Sequence, residues 1–211
     1  LGVYGNRGGG FRDSGYDITV KWQVLIATSE GDSATSNMGT TTFYVNDESD
    51  QAKMVGTSDR VASGTSLYQV GWGGQAPGCL IDAGLLNQKL TDTEIQELMT
   101  LLITKMNNVK APPSSPALPS PPPLIPGDDA IGFYIQNKKP YSRLDIDNHV
   151  SGAFVTDNVL KKEWNAVSSK KPKVVTMDGK TCMDMVSTDY IRISPPPGYP
   201  LLGQYYTQFY I

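Results

Sequence analysis

Short runs in which polar and apolar residues alternate dominate the chain, and these runs predict β-strands. Residues 16–26 form one such run, because every second side chain of an extended chain points to the same face. The apolar side chains on that face are those of Ile18, Val20, Trp22 and Val24. Residues 40–46 are rich in β-branched and aromatic side chains, which also favour a strand. We therefore predict a mostly-β protein.

One segment has helical periodicity instead. Thr91 is followed three residues later by Glu94, which is the capping-box pattern in which each side chain satisfies the other residue's backbone amide. Apolar residues then recur every three or four positions, at Ile95, Leu98, Met99, Leu102, Ile103 and Met106. The sequence predicts a helix that begins after Thr91 and buries this stripe.

The composition changes sharply at residues 110–128, which contain eight prolines. Proline fixes φ and has no backbone donor, so the pattern predicts an extended, semi-rigid polyproline linker. Its Pro-x-x-Pro spacing leaves a ligand for an SH3-type domain as an alternative. We predict two domains, residues 1–109 and 129–211, on either side of this linker.

Residues 129–211 resemble no family that we recognise, and their pattern predicts a smaller β-rich domain. Asp178-Gly179 is a typical two-residue hairpin turn. Residues 159–167 predict one or two helical turns. The predicted strands are residues 130–136, 151–156, 173–177 and 190–194.

The chain ends in an uncharged, aromatic tail at residues 199–211. Large apolar surfaces drive association, so we expect this tail to pack on its own domain or against a neighbouring chain. The candidate interface residues are Tyr199, Tyr205, Tyr206, Phe209 and Tyr210.

The order of motifs in residues 16–100 resembles the second half of a laminin-G-like domain. Trp22 leads an apolar run, residues 39–47 form a β-prone run that ends in a turn pair, and residues 67–71 form a short run that ends in glycine. Residues 80–87 then lead into Leu90-Thr91-Asp92-Thr93-Glu94-Ile95, which is similar to the family's "LTDAEI" motif. The chain departs from the family at Gln23, where a histidine is common.

This resemblance implies a concanavalin A-like jelly-roll sandwich with one short helix. Only the later strands of such a domain are legible, and a half sheet would expose unpaired edges. We therefore expect the domain to be completed by an upstream segment, a neighbouring chain or the aromatic tail acting as an added strand. The predicted core comprises Trp22, Ile26, Phe43, Val45, Leu67, Val70, Ile81, Leu85 and Ile95.

Two groups of residues are candidates for ligand binding. Tyr68 and Trp72 lie near a glycine-rich corner and are candidates for stacking on a sugar, although core packing is the alternative for both. Asp145, Asp147 and His149 would share one face of a strand and offer ligands for a divalent cation. As a loop, Asp145, Asp147 and Asn148 would instead offer oxygen ligands to calcium, and the remaining alternative is a polar strand edge or turn without an ion. Laminin-G-like domains often bind calcium and sugars, so calcium is the cofactor left open, and no calcium ligand is carried over.

The composition excludes some classes of protein. The net charge of −3 does not resemble the basic footprint of a nucleic-acid-binding protein. No run reaches the ~18 apolar residues of a membrane-spanning helix. Cys79 and Cys182 are the two cysteines, and the sequence leaves both free thiols and a disulfide open.

Catalytic motifs are not found in the sequence. His149 is the single histidine, and there is neither a Gly-x-Ser-x-Gly nucleophile motif nor a phosphate-binding loop. We predict that the chain is not an enzyme but a structural or adhesion component of a larger assembly that binds other protein chains. A minor capsid or surface protein of a large virus fits this description, which favours a virion or extracellular location. The alternatives are a lectin-like carbohydrate-binding module and part of a glycan-cleaving enzyme.

Overall fold

The computed structural model describes residues 1–5, 10–31, 38–46, 51–60, 68–70, 78–109, 130–145, 149–150, 153–154, 165–168, 173–185, 191–194 and 205–211. In this part of the chain strands predominate, so the mostly-β prediction is confirmed. The helices are α1 (Asp92–Asn108) and α2 (Ala130–Ile135). The strands are β1 (Gly2–Gly5), β2 (Gly10–Asp13), β3 (Leu25–Gly31), β4 (Met38–Asn46), β5 (Ala52–Arg60), β6 (Tyr68–Val70), β7 (Gly78–Leu80), β8 (Asp82–Leu86), β9 (Pro140–Asp145), β10 (His149–Val150), β11 (Ala153–Phe154), β12 (Asn165–Ser168), β13 (Lys173–Met177), β14 (Lys180–Met185), β15 (Ile191–Ser194) and β16 (Tyr206–Tyr210).

The largest sheet is antiparallel and has six strands in the order β5-β4-β3-β16-β8-β9. Strand β16, from the aromatic tail, lies between β3 and β8. Its Phe209 pairs with Ile26 on one side and with Gly84 on the other. Of the three donors that the sequence left open, the structure shows the aromatic tail adding a strand to residues 1–109, and the added strand is an inner one.

Strands from both halves of the chain also pair in two three-stranded sheets. Their orders are β12-β15-β6 and β13-β14-β7, so β6 and β7 of the first half are edge strands of sheets from the second half. The hydrophobic core is shared in the same way, because Ile81 and Leu98 join one buried cluster with Ile131 and Met183. A separate second domain is therefore not confirmed. The predicted proline linker lies outside the described residues.

Helix α1 forms as the sequence predicts. Thr91 Oγ1 accepts a hydrogen bond from Glu94 N at 3.4 Å, and Glu94 Oε2 accepts one from Thr91 N at 2.9 Å. These two bonds form the capping box and satisfy two amides that a helix start would otherwise leave unpaired. The entire predicted apolar stripe is buried, namely Ile95, Leu98, Met99, Leu102, Ile103 and Met106.

The predicted hairpin turn also forms. Met177 and Lys180 are paired across the end of β13 and β14, which leaves Asp178 and Gly179 as the two-residue loop. Both loop residues have positive φ, 50° and 74°, as a type I′ turn requires. Asp and Gly tolerate this conformation better than most residues, which is why the sequence signal was specific.

Two local predictions are wrong. The strand expected at residues 16–26 begins only at Leu25, and Ile18 and Val20 are 63% and 107% exposed. Residues 130–136 were expected to form a strand, but residues 130–135 form helix α2, in which Ile131 and Ile135 are buried one helical turn apart. Of residues 159–167, the last three belong to β12, and residues 159–164 lie outside the described part.

The predicted core residues are buried wherever their side chains are described, except Trp22, but Phe43 and Val45 do not belong to the core cluster that contains Ile26. Trp22 is half-buried and packs against the core cluster. The side chains of Leu67 and Val70 lie outside the described residues. The residues that are buried as predicted are Ile26, Phe43, Val45, Ile81, Leu85 and Ile95. The jelly-roll arrangement of the strands stays a prediction.

Candidate functional site

The sugar-stacking candidates remain a prediction. Trp72 lies outside the described residues. Tyr68 is the first residue of β6, where its backbone pairs with Ile193 of β15, but its side chain is not described.

The two candidate metal ligands whose backbone is described, Asp145 and His149, belong to different strands. Asp145 ends β9 in the six-stranded sheet, where it pairs with Asp82. His149 begins β10 and pairs with Phe154 in a different, two-stranded sheet. The strand interpretation places Asp145, Asp147 and His149 on one strand, which the structure does not show, while Asp147 and Asn148 of the loop alternative lie outside the described residues. In the described part of the chain, no three His, Cys, Asp or Glu residues are grouped so that they could hold a metal ion.

The described part of the aromatic tail, residues 205–211, packs within its own chain. Phe209 is fully buried and Tyr206 is buried, so these two side chains belong to the core and are not available as an interface, which corrects that part of the prediction. The burial is intramolecular because β16 is an inner strand. Tyr210 is half-buried and its hydroxyl donates to Gln208 Oε1 at 3.1 Å. Tyr205 is 47% exposed, and Tyr199 lies outside the described residues.

A buried ion cluster that the sequence analysis missed lies between the central sheet and α1. Asp82 is fully buried, and its carboxylate accepts hydrogen bonds from Arg143 Nη2 at 2.7 Å and from Arg143 Nε at 3.1 Å. Lys105 Nζ, from the last turns of α1, donates to Asp82 Oδ2 at 3.2 Å. The two cations have further partners.

The strand register explains why these groups meet. Arg143 is paired with Gly84, two residues after Asp82, so the side chains of Asp82 and Arg143 leave the same face of the sheet. A buried carboxylate needs such partners, because an unpaired charge inside a protein is very costly. Both carboxylate oxygens of Asp82 are therefore occupied in joining β8, β9 and α1. The sequence feature that could have indicated this cluster is the aspartate within the otherwise apolar run of residues 80–86.

A second polar cluster joins α2 to the start of α1. The Tyr134 hydroxyl lies 2.9 Å from the Glu94 backbone carbonyl and 3.0 Å from Glu97 Oε2. Burial and the neighbouring Glu97 carboxylate raise the pKa of Tyr134 well above its usual value. The Lys138 ammonium forms an ion pair with Glu94 and lies 5.3 Å from the centre of the Tyr134 ring. Hydrogen bonds from Lys138 and then from Thr91 lower the pKa of Glu94.

The two cysteines form a disulfide between β7 and β14. Their Cα atoms are 5.6 Å apart, and the bond links residues 103 positions apart in the sequence. The adjacent strands are paired as well, with Leu80 opposite Met183. Of the two alternatives that the sequence left open, the structure therefore contains the disulfide.

We call residues 16–22 the exposed segment. Hydrogen bonds anchor the backbone at Tyr16 and, just beyond the other end of the segment, at Val24. Tyr16 O accepts a hydrogen bond from the N-terminal amino group of Leu1 at 2.8 Å, and beyond the other end Val24 N donates to Asn46 Oδ1 at 2.8 Å. Within the described part of the chain, the backbone of residues 17–22 makes no hydrogen bond. The chain bends at Val20 and Lys21.

Comparison of the chain with models of protein families, with curated proteins and with solved structures found no match. The laminin-G-like resemblance is accordingly still a prediction. No helix in the described part of the chain has the length and apolar character needed to span a membrane.

Proposed function

We propose that this chain is a non-catalytic structural or adhesion component of a larger assembly that meets an oxidising environment, such as the extracellular space or the surface of a virion. The observation that carries the proposal is the disulfide between Cys79 and Cys182. Structural disulfides persist outside the cytosol and on virion and cell surfaces, and they are rare where thiols are kept reduced. A minor capsid or surface protein of a large virus fits this chemistry.

The way in which the two halves are joined also supports a structural role. The disulfide staples β7 to β14, and β16 is bonded on both sides within the largest sheet. Parts of the chain that are distant in sequence thus hold each other in place by a covalent bond and by two ladders of backbone hydrogen bonds. Such an arrangement resists partial unfolding, which suits a component that must persist in a particle.

The buried charges contribute to the same role. The carboxylate of Asp82 is bound by Arg143 and Lys105, which are positioned on β9 and α1. A catalytic acid or base must exchange a proton with a substrate that reaches it, whereas this group is fully buried and bridges secondary-structure elements. We assign Asp82 to stability.

The proposal is tested by washing an extract that contains the native protein in high salt and separating its particles on a density gradient. Peptides of the chain are then quantified by mass spectrometry without reduction, so that the linked Cys79–Cys182 peptide is detected. We expect the chain to sediment with a particle in a fixed ratio to other chains and in the disulfide form. Recovery as a free protein, or with reduced cysteines, would contradict the proposal.

Two further assays separate the alternatives. Binding of the purified chain to a glycan array, compared with and without calcium, would favour a carbohydrate-binding module. Release of reducing sugar from glycans by the isolated chain would favour a glycan-cleaving enzyme. The structural proposal predicts a negative result in both assays together with the fixed ratio in the particle.

A further inference from the structure

The exposed segment has the sequence pattern of a strand, yet none of its residues belongs to a strand in the structure. Polar residues occupy its odd-numbered positions and apolar or aromatic residues occupy its even-numbered positions, as in a strand with one buried face. In the structure, however, Ile18 and Val20 are 63% and 107% exposed. A local sequence preference that the rest of the fold contradicts is expected mainly at functional sites.

The segment is complementary to itself when two copies run antiparallel. With Thr19 opposite Thr19 of the second copy, Asp17 lies opposite Lys21 and Lys21 lies opposite Asp17. In the same register, Ile18 lies opposite Val20, and both side chains are exposed in the structure. Opposite charges and β-branched or aromatic pairs directly across two strands are stabilising. If the two-fold axis passed through residue 18 or residue 20 instead of Thr19, Asp17 and Lys21 would no longer lie opposite each other.

We infer that the exposed segment forms an antiparallel two-stranded ribbon with the same segment of a second copy of this chain. The contact is two-fold symmetric, which is the commonest form of self-association. It supplies the partners that the backbone of residues 17–22 does not have in the described part of the chain. The apolar side chains of both copies then cover each other on one face of the ribbon.

Pairing requires the segment to unbend and extend. The bend at Val20 and Lys21 straightens, and the hydrogen bond from Gln23 Nε2 to Tyr16 Oη, 3.2 Å long, breaks because it holds Tyr16 close to the residue that follows the segment. The segment is short, so the contact is smaller than a typical stable interface. We therefore expect a weak dimer that becomes effective when many copies are held together. In this respect the inference rests on the proposed function, since it names one contact of the assembly.

Charge variants of the full-length chain test the register. Asp17→Lys places lysines opposite Lys21, and Lys21→Asp places aspartates opposite Asp17. Sedimentation equilibrium over a concentration series should show that each single variant dimerises about tenfold more weakly than the wild type. An equimolar mixture of the two variants, and the double variant with both changes, should regain wild-type association. Lys53→Asp, at an exposed position of β5, is the matched control and should have no effect.

A cysteine trap gives an independent measurement. Thr19→Cys should form a disulfide-linked dimer under mild oxidation, because residue 19 faces itself across the two-fold axis. Asp17→Cys, whose position faces Lys21, should crosslink much more slowly. The native cysteines are already bonded to each other, so each variant carries one new thiol.

Several outcomes would overturn the inference. These are a wild type that stays monomeric at the highest attainable concentration, single variants that associate like the wild type, and equal crosslinking at positions 17 and 19. Binding of the wild type to phosphatidylcholine–phosphatidylserine vesicles that Ile18→Ser abolishes, without self-association, would assign the segment to a lipid surface instead. A monomeric chain that is still found in a particle at a fixed ratio would overturn only the ribbon. A dimer that is absent from every particle would overturn only the proposed function.

Discussion

The aromatic ring of Phe209 lies directly over Gly84, its partner on the neighbouring strand of the six-stranded sheet. A Cβ atom at residue 84 would overlap the ring. The absence of a side chain at Gly84 thus leaves the space that the Phe209 ring fills.

Gly84→Ala should therefore destabilise the protein by about 1–3 kcal/mol, because overpacking forces a buried ring or the backbone to move. Urea unfolding followed by circular dichroism measures the change. Gly78→Ala is the matched control, since an added methyl group at Gly78 meets no atom within 4 Å. Equal stability of the Gly84 and Gly78 variants would contradict the close packing of Phe209.

Removal of the ring has a larger predicted effect. Phe209→Ala should cost about 3–5 kcal/mol, because it deletes a fully buried aromatic side chain at the centre of the sheet. Tyr205→Ala, at a 47% exposed position just before β16, should change the free energy of unfolding by no more than about 0.5 kcal/mol. If both variants unfold at the same urea concentration, β16 does not occupy the centre of the sheet.

Asp82→Asn should destabilise the protein by about 3–5 kcal/mol while changing the size of the side chain little. The variant removes the negative charge that the buried Arg143 guanidinium and the Lys105 ammonium share. Thermal unfolding measured at neutral pH provides the test, with Asp13→Asn, whose side chain is 64% exposed, as the control. A wild-type melting temperature for Asp82→Asn would mean that the ion cluster contributes nothing to stability.

The lowered pKa of Glu94 predicts a pH dependence of stability. Because Lys138 and Thr91 favour the ionised form in the folded state, Glu94 stabilises the protein above its unfolded pKa, near 4.5. This contribution is lost as the pH falls from about that value through the lower folded pKa. Glu94→Gln keeps the capping-box geometry and removes the charge. We expect the melting temperatures of the variant and the wild type to differ at pH 7 and this difference to shrink as the pH falls below about 4.5; a constant difference would be evidence against this mechanism.

Opening the disulfide should lower stability substantially. The bond closes a loop of 103 residues, for which the chain-entropy relation gives about 4–5 kcal/mol. The pair variant Cys79→Ser with Cys182→Ser is compared with the wild type in the presence and absence of a reducing agent. Reduction should destabilise the wild type and leave the variant unchanged. Insensitivity of the wild type to reduction would argue against a structural disulfide.

Local chemistry explains which elements were predictable from the sequence. The capping box at Thr91 and Glu94 and the turn at Asp178-Gly179 each rely on neighbours in sequence, so their signals are complete within a few residues. Helix α2 was mistaken for a strand because its aromatic and β-branched residues favour strands. Contacts with α1, such as that between Tyr134 and Glu94, outweigh this preference.

Long-range relationships could not be predicted in the same way. The periodicity around Asp82 does not reveal that its partner is Arg143, because the pairing follows from the register of β8 and β9. The tail was recognised as apolar and expected to add a strand, but its position between β3 and β8 depends on both neighbours at once. The glycan and cation candidates Trp72 and Asp147 lie in segments outside the described residues.

The inner position of β16 also has a consequence for biosynthesis. As the chain emerges from the ribosome, β3 and β8 are made long before residues 206–210, which must enter between them. Until then β3 and β8 each lack the strand that pairs with them on one side. Pairing between strands so distant in sequence is slow. Translation that stops before residue 206 would leave an open, aggregation-prone sheet, so the sheet closes only on chains that have been synthesised through β16.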